Sequence, residues 1–179
     1  MRNFAWMVLL AARALADTAT PDETKRADEA RRVYAAVILT ELREGGVVIV
    51  DVAKPVVARG PAELGKRLGM DKSTVADYAR QKEQPIAHKG ILLLRPLNWI
   101  NPQAVDEIFK GERWKEFARR FGESTLVTFS PVGFNAARDE ALVAVDFSGG
   151  ELSGYGEWIR LVKRGGIWRI EKREERWIA

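Results

Sequence analysis

The chain contains one histidine, His88, and no cysteine. A serine nucleophile needs an imidazole base, so His88 is the single candidate, and no Gly-x-Ser-x-Gly elbow presents a serine to it. His88 sits in the polar stretch QPIAHKG ahead of a short apolar run, which places it on an exposed loop. The absence of cysteine excludes disulfides, thiolate catalysis and cysteine-ligated zinc. One histidine among scattered carboxylates shows no metal-ligand spacing, and neither a metal nor a cofactor is expected. Acid pairs are the chemistry that stays open. Glycosidases set two Asp or Glu side chains about the bond they cleave, and Asp146, Glu151 and Glu157 surround one connection; they are the candidates for a carboxylate-dependent hydrolase. Gly149, Gly150, Gly154 and Gly156 lie in the same connection. A phosphate cradle needs a strand before it and a helix after it. These glycines stand between two expected strands, with no Walker lysine in register, and read as a tight β-connection. No catalytic, cofactor-binding or metal-binding residue is assigned.

The elements that must position these residues follow from periodicity. Thr20 and Pro21 open a helix that runs to Leu42, with Asp22 and Glu23 complementing its N-terminal dipole. Val33, Tyr34, Val37, Ile38 and Leu42 share one face, and Gly45-Gly46 ends the helix. Val47 to Val52 is β-branched and apolar and reads as a strand. Helices are expected over Ala62 to Leu68 and Lys72 to Lys82, separated at Gly69, then a brief strand over Ile91 to Leu94. Asn101-Pro102 is a capped helix start, Gly111 interrupts, and Trp114, Phe117, Ala118 and Phe121 resume helical spacing. From Ser124 the period is two. Strands are expected over Leu126 to Phe129, Ala141 to Phe147, Glu157 to Lys163 and Ile167 to Arg173, the last two joined at Gly165-Gly166. The predicted fold is α+β, with N-terminal helices followed by an antiparallel meander sheet of about four strands. The helices lie on one of its faces, and Trp114, Phe117 and Phe121 pack on that sheet.

The 179 residues, 46% hydrophobic and 30% charged, suffice for one domain with its own core. Trp99, Trp114, Trp158, Trp168 and Trp177 are expected mainly in the interior, and the C-terminal basic residues alternate with Glu171, Glu174 and Glu175 as a solvated strand face. The first sixteen residues read differently. Arg2, the apolar run Phe4 to Ala12, and Ala14-Leu15-Ala16 before Asp17 follow the three-part layout of a secretory signal peptide; the alternative is an amphipathic helix packed on the domain. The run is too short for a membrane span, which takes about 20 residues. The expected organisation is a signal peptide over 1–16 and a single α+β domain over 17–179. Loss of Arg2 and Arg13 lowers the formal charge from +4 to +2, an ordinary value with little pull toward nucleic acid.

Residues 61–80, PAELGKRLGMDKSTVADYAR, resemble the helix-turn-helix segment of bacterial DNA-binding regulators. The resemblance implies Leu64 and Leu68 facing the core, a turn at Gly69, Met70 and Val75 packing the second helix, and Lys72, Ser73 and Thr74 at the start of a reading helix in the major groove. The context opposes it. The segment carries four basic and three acidic residues, and Asp77 would set a carboxylate toward phosphate. Nucleic acid is therefore a disfavoured partner.

A wider resemblance covers residues 30–179. It is carried by Tyr34, by Thr74-Val75-Ala76-Asp77-Tyr78, and by Trp114-x-x-Phe117 with Phe121. Ser130-Pro131-Val132-Gly133-Phe134-Asn135, Ala141-Leu142-Val143, Gly166-x-Trp168-x-Ile170 and Trp177-Ile178 complete it. In this order the motifs resemble a family of uncharacterised exported bacterial proteins. The resemblance implies fold and export and transfers no catalytic residue. Many members carry a pair of cysteines in the glycine connection, where this chain has Ser148 and Ser153. The expected function is a non-catalytic periplasmic or secreted domain that binds a small ligand or a protein partner. A helix-turn-helix DNA-binding protein and a carboxylate-dependent hydrolase are the alternatives.

Overall fold

The computed structural model describes residues 20–41, 46–58, 60–86 and 97–179. The expected signal peptide, His88 and the expected strand Ile91 to Leu94 lie outside the described residues.

Helices start where the sequence supplies caps. Helix α1 (Pro21–Glu41) opens on a reciprocal box: Thr20 Oγ1 accepts from the Glu23 amide at 3.2 Å, and Glu23 Oε2 accepts from the Thr20 amide at 2.7 Å. After strand β1 (Gly46–Val50) and the short β2 (Val52–Ala53) come helices α2 (Pro61–Leu68) and α3 (Lys72–Ala79). Gly69, at φ 66°, makes the turn between them, and Asp71 caps α3 by accepting from the Ser73 amide at 2.7 Å. Strands β3 (Gln84–Pro85) and β4 (Asn98–Ile100) lead to helix α4 (Pro102–Lys110), where the Asn101 side chain accepts from the Ala104 amide at 2.7 Å. Helix α5 (Trp114–Phe121) follows, then β5 (Ser124–Phe129), β6 (Gly133–Phe134), β7 (Glu140–Gly150), β8 (Ser153–Arg164) and β9 (Ile167–Ile178). Gly165 and Gly166, at φ 58° and 80°, form the expected hairpin turn.

The protein is α+β, but the expected sheet is corrected. Seven strands form one mixed sheet in the order β4-β1-β5-β7-β8-β9, with β6 pairing to β7; β2 and β3 form a separate antiparallel ribbon. β1 runs parallel to both β4 and β5, and the remaining pairings of the large sheet are antiparallel. The apolar run of β1 is therefore an internal parallel strand with both faces covered, which is why it shows no alternation. β8 begins at Ser153 rather than Glu157, so the connection from β7 is much shorter than its glycines suggest.

Helices cover both faces, not one. On the first, Ala30, Val33, Tyr34, Val37 and Ile38 of α1 pack on Val47, Ile49, Val127, Val143, Val145 and Ile159. On the opposite face two separate clusters form. Leu64, Leu68, Val75 and Tyr78 of α2 and α3 sit on Leu142, Ala144 and Trp158. Ile108 and Phe117 of α4 and α5, with Trp114 and Phe121 at the margin, sit on Val48, Val50, Ile100 and Leu126. The Trp114 face thus packs on the parallel strands rather than on the C-terminal meander.

β5 and β6 are one line of chain along β7, broken at Ser130-Pro131. The ladder survives the break because the Ser130 amide donates to the Ala144 carbonyl at 2.9 Å and Ser130 Oγ accepts from the Ala144 amide at 2.8 Å. Beyond it, Gly133 lies under α3. A Cβ there would stand 2.6 Å from the Cα and N of Tyr78, backbone that cannot swing away. Gly133→Ala is expected to cost about 3 kcal/mol through overpacking. Gly149→Ala, whose Cβ would meet nothing closer than Ser153 Oγ at 3.4 Å, should cost under about 1 kcal/mol. Urea unfolding of the two variants checks the contrast.

Candidate functional site

The residues that could meet a ligand gather on the sheet face that carries the two helix pairs. Asp146 projects there from β7, on the same side as Leu142 and Ala144. Its Oδ1 accepts twice, from Arg176 Nη1 and from Trp177 Nε1, each at 2.7 Å. Two adjacent residues reach one carboxylate because β9 carries a bulge. Gly156 pairs with Trp177 and Glu157 with Glu175, so Arg176 is the extra residue and both side chains fall on one face. The indole then lies across β8, where Gly154 and Gly156 leave room. A Cβ at Gly154 would meet Trp177 Cη2 at 3.0 Å, and one at Gly156 would meet Trp177 Cδ1 at 2.7 Å. The Arg176 guanidinium stacks over Trp158, 5.3 Å from the ring centroid.

Asp146 also forms the end of a cleft of about 240 Å³ between the helix pairs. Its floor is Val50, Thr128, Ala144 and Asp146. One wall is the segment bearing Val52, Lys54 and Val56, and the other is the start of α4, with Pro102, Val105 and Asp106. Thr128 stands directly opposite Asp146 in the β5–β7 register. Phe129 contributes backbone only, because its ring lies on the far face against Tyr34, centroids 4.7 Å apart. Ser130, beside the floor, has its hydroxyl spent: it accepts from the Ala144 amide and donates to the Pro131 carbonyl at 3.0 Å. Tyr78 donates to the Val56 carbonyl at 3.1 Å and so ties α3 to the wall; burial pushes its pKa up to about 12, leaving it a neutral donor. The cleft therefore offers aliphatic walls that carry one cation and one anion, Lys54 and Asp106, and a floor with one hydroxyl and one paired carboxylate. Among the described residues there is no imidazole, no thiol and no group of three or more metal-ligating side chains.

The acids singled out by sequence do not converge. Glu151 is exposed at the β7–β8 turn, Asp146 faces the cleft, and Glu157 lies on the opposite face beside Glu41 and Arg173. Of the helix-turn-helix residues, Lys72 and Ser73 are exposed, but Thr74 is fully buried. Its hydroxyl donates to Glu140 Oε1 at 2.7 Å, so it points into the sheet and cannot contact a groove. Leu64, Leu68, Gly69 and Val75 play the packing roles expected of them. Asp77 also turns inward, accepting from Arg26 and from the Phe134 amide, each at 2.8 Å. Sequence reasoning missed Arg176, Thr128, Val105 and Lys54. The signal available was the alternate pair Gly154 and Gly156, which leaves one side of a strand open for a ring, here that of Trp177.

No family model, curated protein or solved structure matches the chain.

Two measurements test this geometry. Gly156→Ala drives a Cβ into both the Asp146 carboxylate and the Trp177 indole. It is expected to cost about 2 kcal/mol and to red-shift the tryptophan emission as Trp177 leaves its seat. The second concerns Glu157, whose Oε2 is buried with no hydrogen-bond partner among the described residues. Burial, and after it the neighbouring Glu41 carboxylate, hold its pKa above the ordinary 4.5, against the pull of Arg173. A raised folded pKa means the folded state takes the proton more tightly. The stability so gained is present below 4.5 and is lost as pH rises through the folded value. Glu157→Gln should therefore be more stable than the parent at pH 7 and converge with it near pH 4, read by urea midpoints at both pH values.

Proposed function

We propose that the protein is an exported, non-catalytic domain that binds a small ligand in the cleft between α4 and the Val52–Val56 segment. The observation that carries the reading is the cleft itself: aliphatic walls converge on a few polar groups over a rigid sheet, the usual makeup of a small-molecule site. The Ser130 hydroxyl and the Tyr78 phenol beside it are engaged elsewhere. Export rests on the signal-like residues 1–16 and on the resemblance to exported bacterial proteins. In support of that resemblance, its motif residues meet one another in space. Tyr34 donates to the Ser130 carbonyl, Asp77 accepts from the Phe134 amide, Tyr78 covers Gly133, and the Phe134 and Trp168 rings meet. They read as one cooperating unit of a fold rather than scattered coincidences.

The test uses the full chain with its own N-terminus, expressed in a bacterium. A periplasmic product whose mass starts at Asp17 is expected, and a cytoplasmic product retaining Met1 would sink the export half. Ligand-observed NMR with a small-molecule library should give compounds that bind the parent and fail on Val105→Trp, which fills the cleft from α4. Hits that ignore Val105→Trp would sink the cleft half, provided a thermal melt shows the variant folded.

A further inference from the structure

Resting on the cleft reading, we infer that the ligand is a small uncharged molecule with a hydrogen-bond donor on an aliphatic body, its donor bound by Oδ2 of Asp146. The carboxylate arrives at the cleft half used. Oδ1 already accepts from Arg176 and Trp177, and Oδ2 makes no hydrogen bond among the described residues. A carboxylate held by a guanidinium is an acceptor only, so it recognises a donor. Arg176 at 2.7 Å balances its charge, and the mouth repeats the balance with Lys54 and Asp106, one of each sign. Because Arg176 offsets the carboxylate, a cation gains little net attraction for the water it gives up, and an anionic head is an acceptor facing an acceptor. Thr128, opposite Asp146, both donates and accepts, which suits a hydroxyl or primary amide head better than a bare amine. The remaining lining is aliphatic, so the body is a chain or small ring rather than a stacked aromatic. A volume of about 240 Å³ equals about eight water shares of ~30 Å³, which caps the ligand at about eight heavy atoms.

The test is a series of equal chain length with the head group changed: hexanamide, hexan-1-ol, hexanoate and hexylammonium, titrated into the full chain by ligand-observed NMR. The amide and the alcohol are expected to bind about tenfold tighter than either ion, and all binding should be lost in Val105→Trp. In Asp146→Asn the amide oxygen stays with the two donors at Arg176 and Trp177, so the cleft position becomes an N–H₂ donor. The preference for the neutral heads over hexanoate should then vanish or reverse. Thr128→Val, nearly the same volume without the hydroxyl, should weaken the amide and alcohol alike if Asp146→Asn does not fold. Tightest binding by hexanoate or hexylammonium, abolished by Val105→Trp, overturns this inference and leaves the cleft standing. Binding by any probe that is indifferent to Val105→Trp overturns both, and no binding by the neutral pair overturns the inference.

Discussion

Everything in this fold is arranged around a strand that has no solvent side. Glu140 to Val145 of β7 are buried without exception. A strand covered on both faces cannot leave polar groups to water, so each polar side chain on it must be met by another element. Glu140 shows how. Its Oε1 accepts from the Asp71 amide at 2.9 Å and from Thr74, and its Oε2 pairs with Arg160 at 2.8–2.9 Å. One carboxylate thereby fixes the start of α3 to β7 and β8. Removing one partner of such a pair costs about 3–5 kcal/mol, because the other charge is left buried. Asp77 and Glu29 do the same from the helices: Asp77 binds Arg26 and the Phe134 amide, while Glu29 takes Trp168 Nε1 at 2.8 Å and Lys163 at 2.7 Å. The helical layers are held by apolar burial and located by these few charges.

Asp146 obeys the same constraint at the point where cover is incomplete. It too is satisfied by other elements, but only on one oxygen. The means are local and depend on one another. The β9 bulge turns Arg176 and Trp177 to one face, the two glycines of β8 admit the indole, and Trp158 supports the guanidinium. Remove the bulge and Trp177 faces α1. Fill a glycine and the ring has no seat. The site is thus built from backbone irregularity as much as from side chains.

This dependence explains what could be read in advance. Helix starts at Thr20 and Asn101 and the turns at Gly69 and Gly165-Gly166 were legible, because caps and positive φ are local requirements. The helix-turn-helix pattern was legible as packing and misleading as function: Leu64, Leu68 and Val75 fit any helix pair on an apolar floor, and Thr74 met a buried carboxylate 66 residues away. The parallel pairing of β1 with β4 and β5 was not legible. A run of five or six apolar residues marks a strand without naming its neighbours, and the three-residue β4 carries almost no pattern. Asp146 stood out as an acid near glycines, but nothing local tells which of Asp146 and Glu157 faces a cleft. Their separation is set by the register that places Val145, not Asp146, opposite Glu157.

The cleft itself follows from the mixed sheet. A uniform sheet face could be covered by one continuous layer. Here the parallel strands carry α4 and α5, the antiparallel strands carry α2 and α3, and each pair closes its own cluster around its own large side chains. Between them runs the seam where β5 meets β7. The residues on that strip are Thr128 and Asp146, too polar to draw a helix over themselves, and Ala144, which reaches the cleft from the edge of the α2–α3 cluster. A larger apolar residue at Ala144 would join the two clusters and fill the space. The open strip is therefore maintained by the choice of side chains at the seam, while α4 on one side and the Val52–Val56 segment on the other supply its walls.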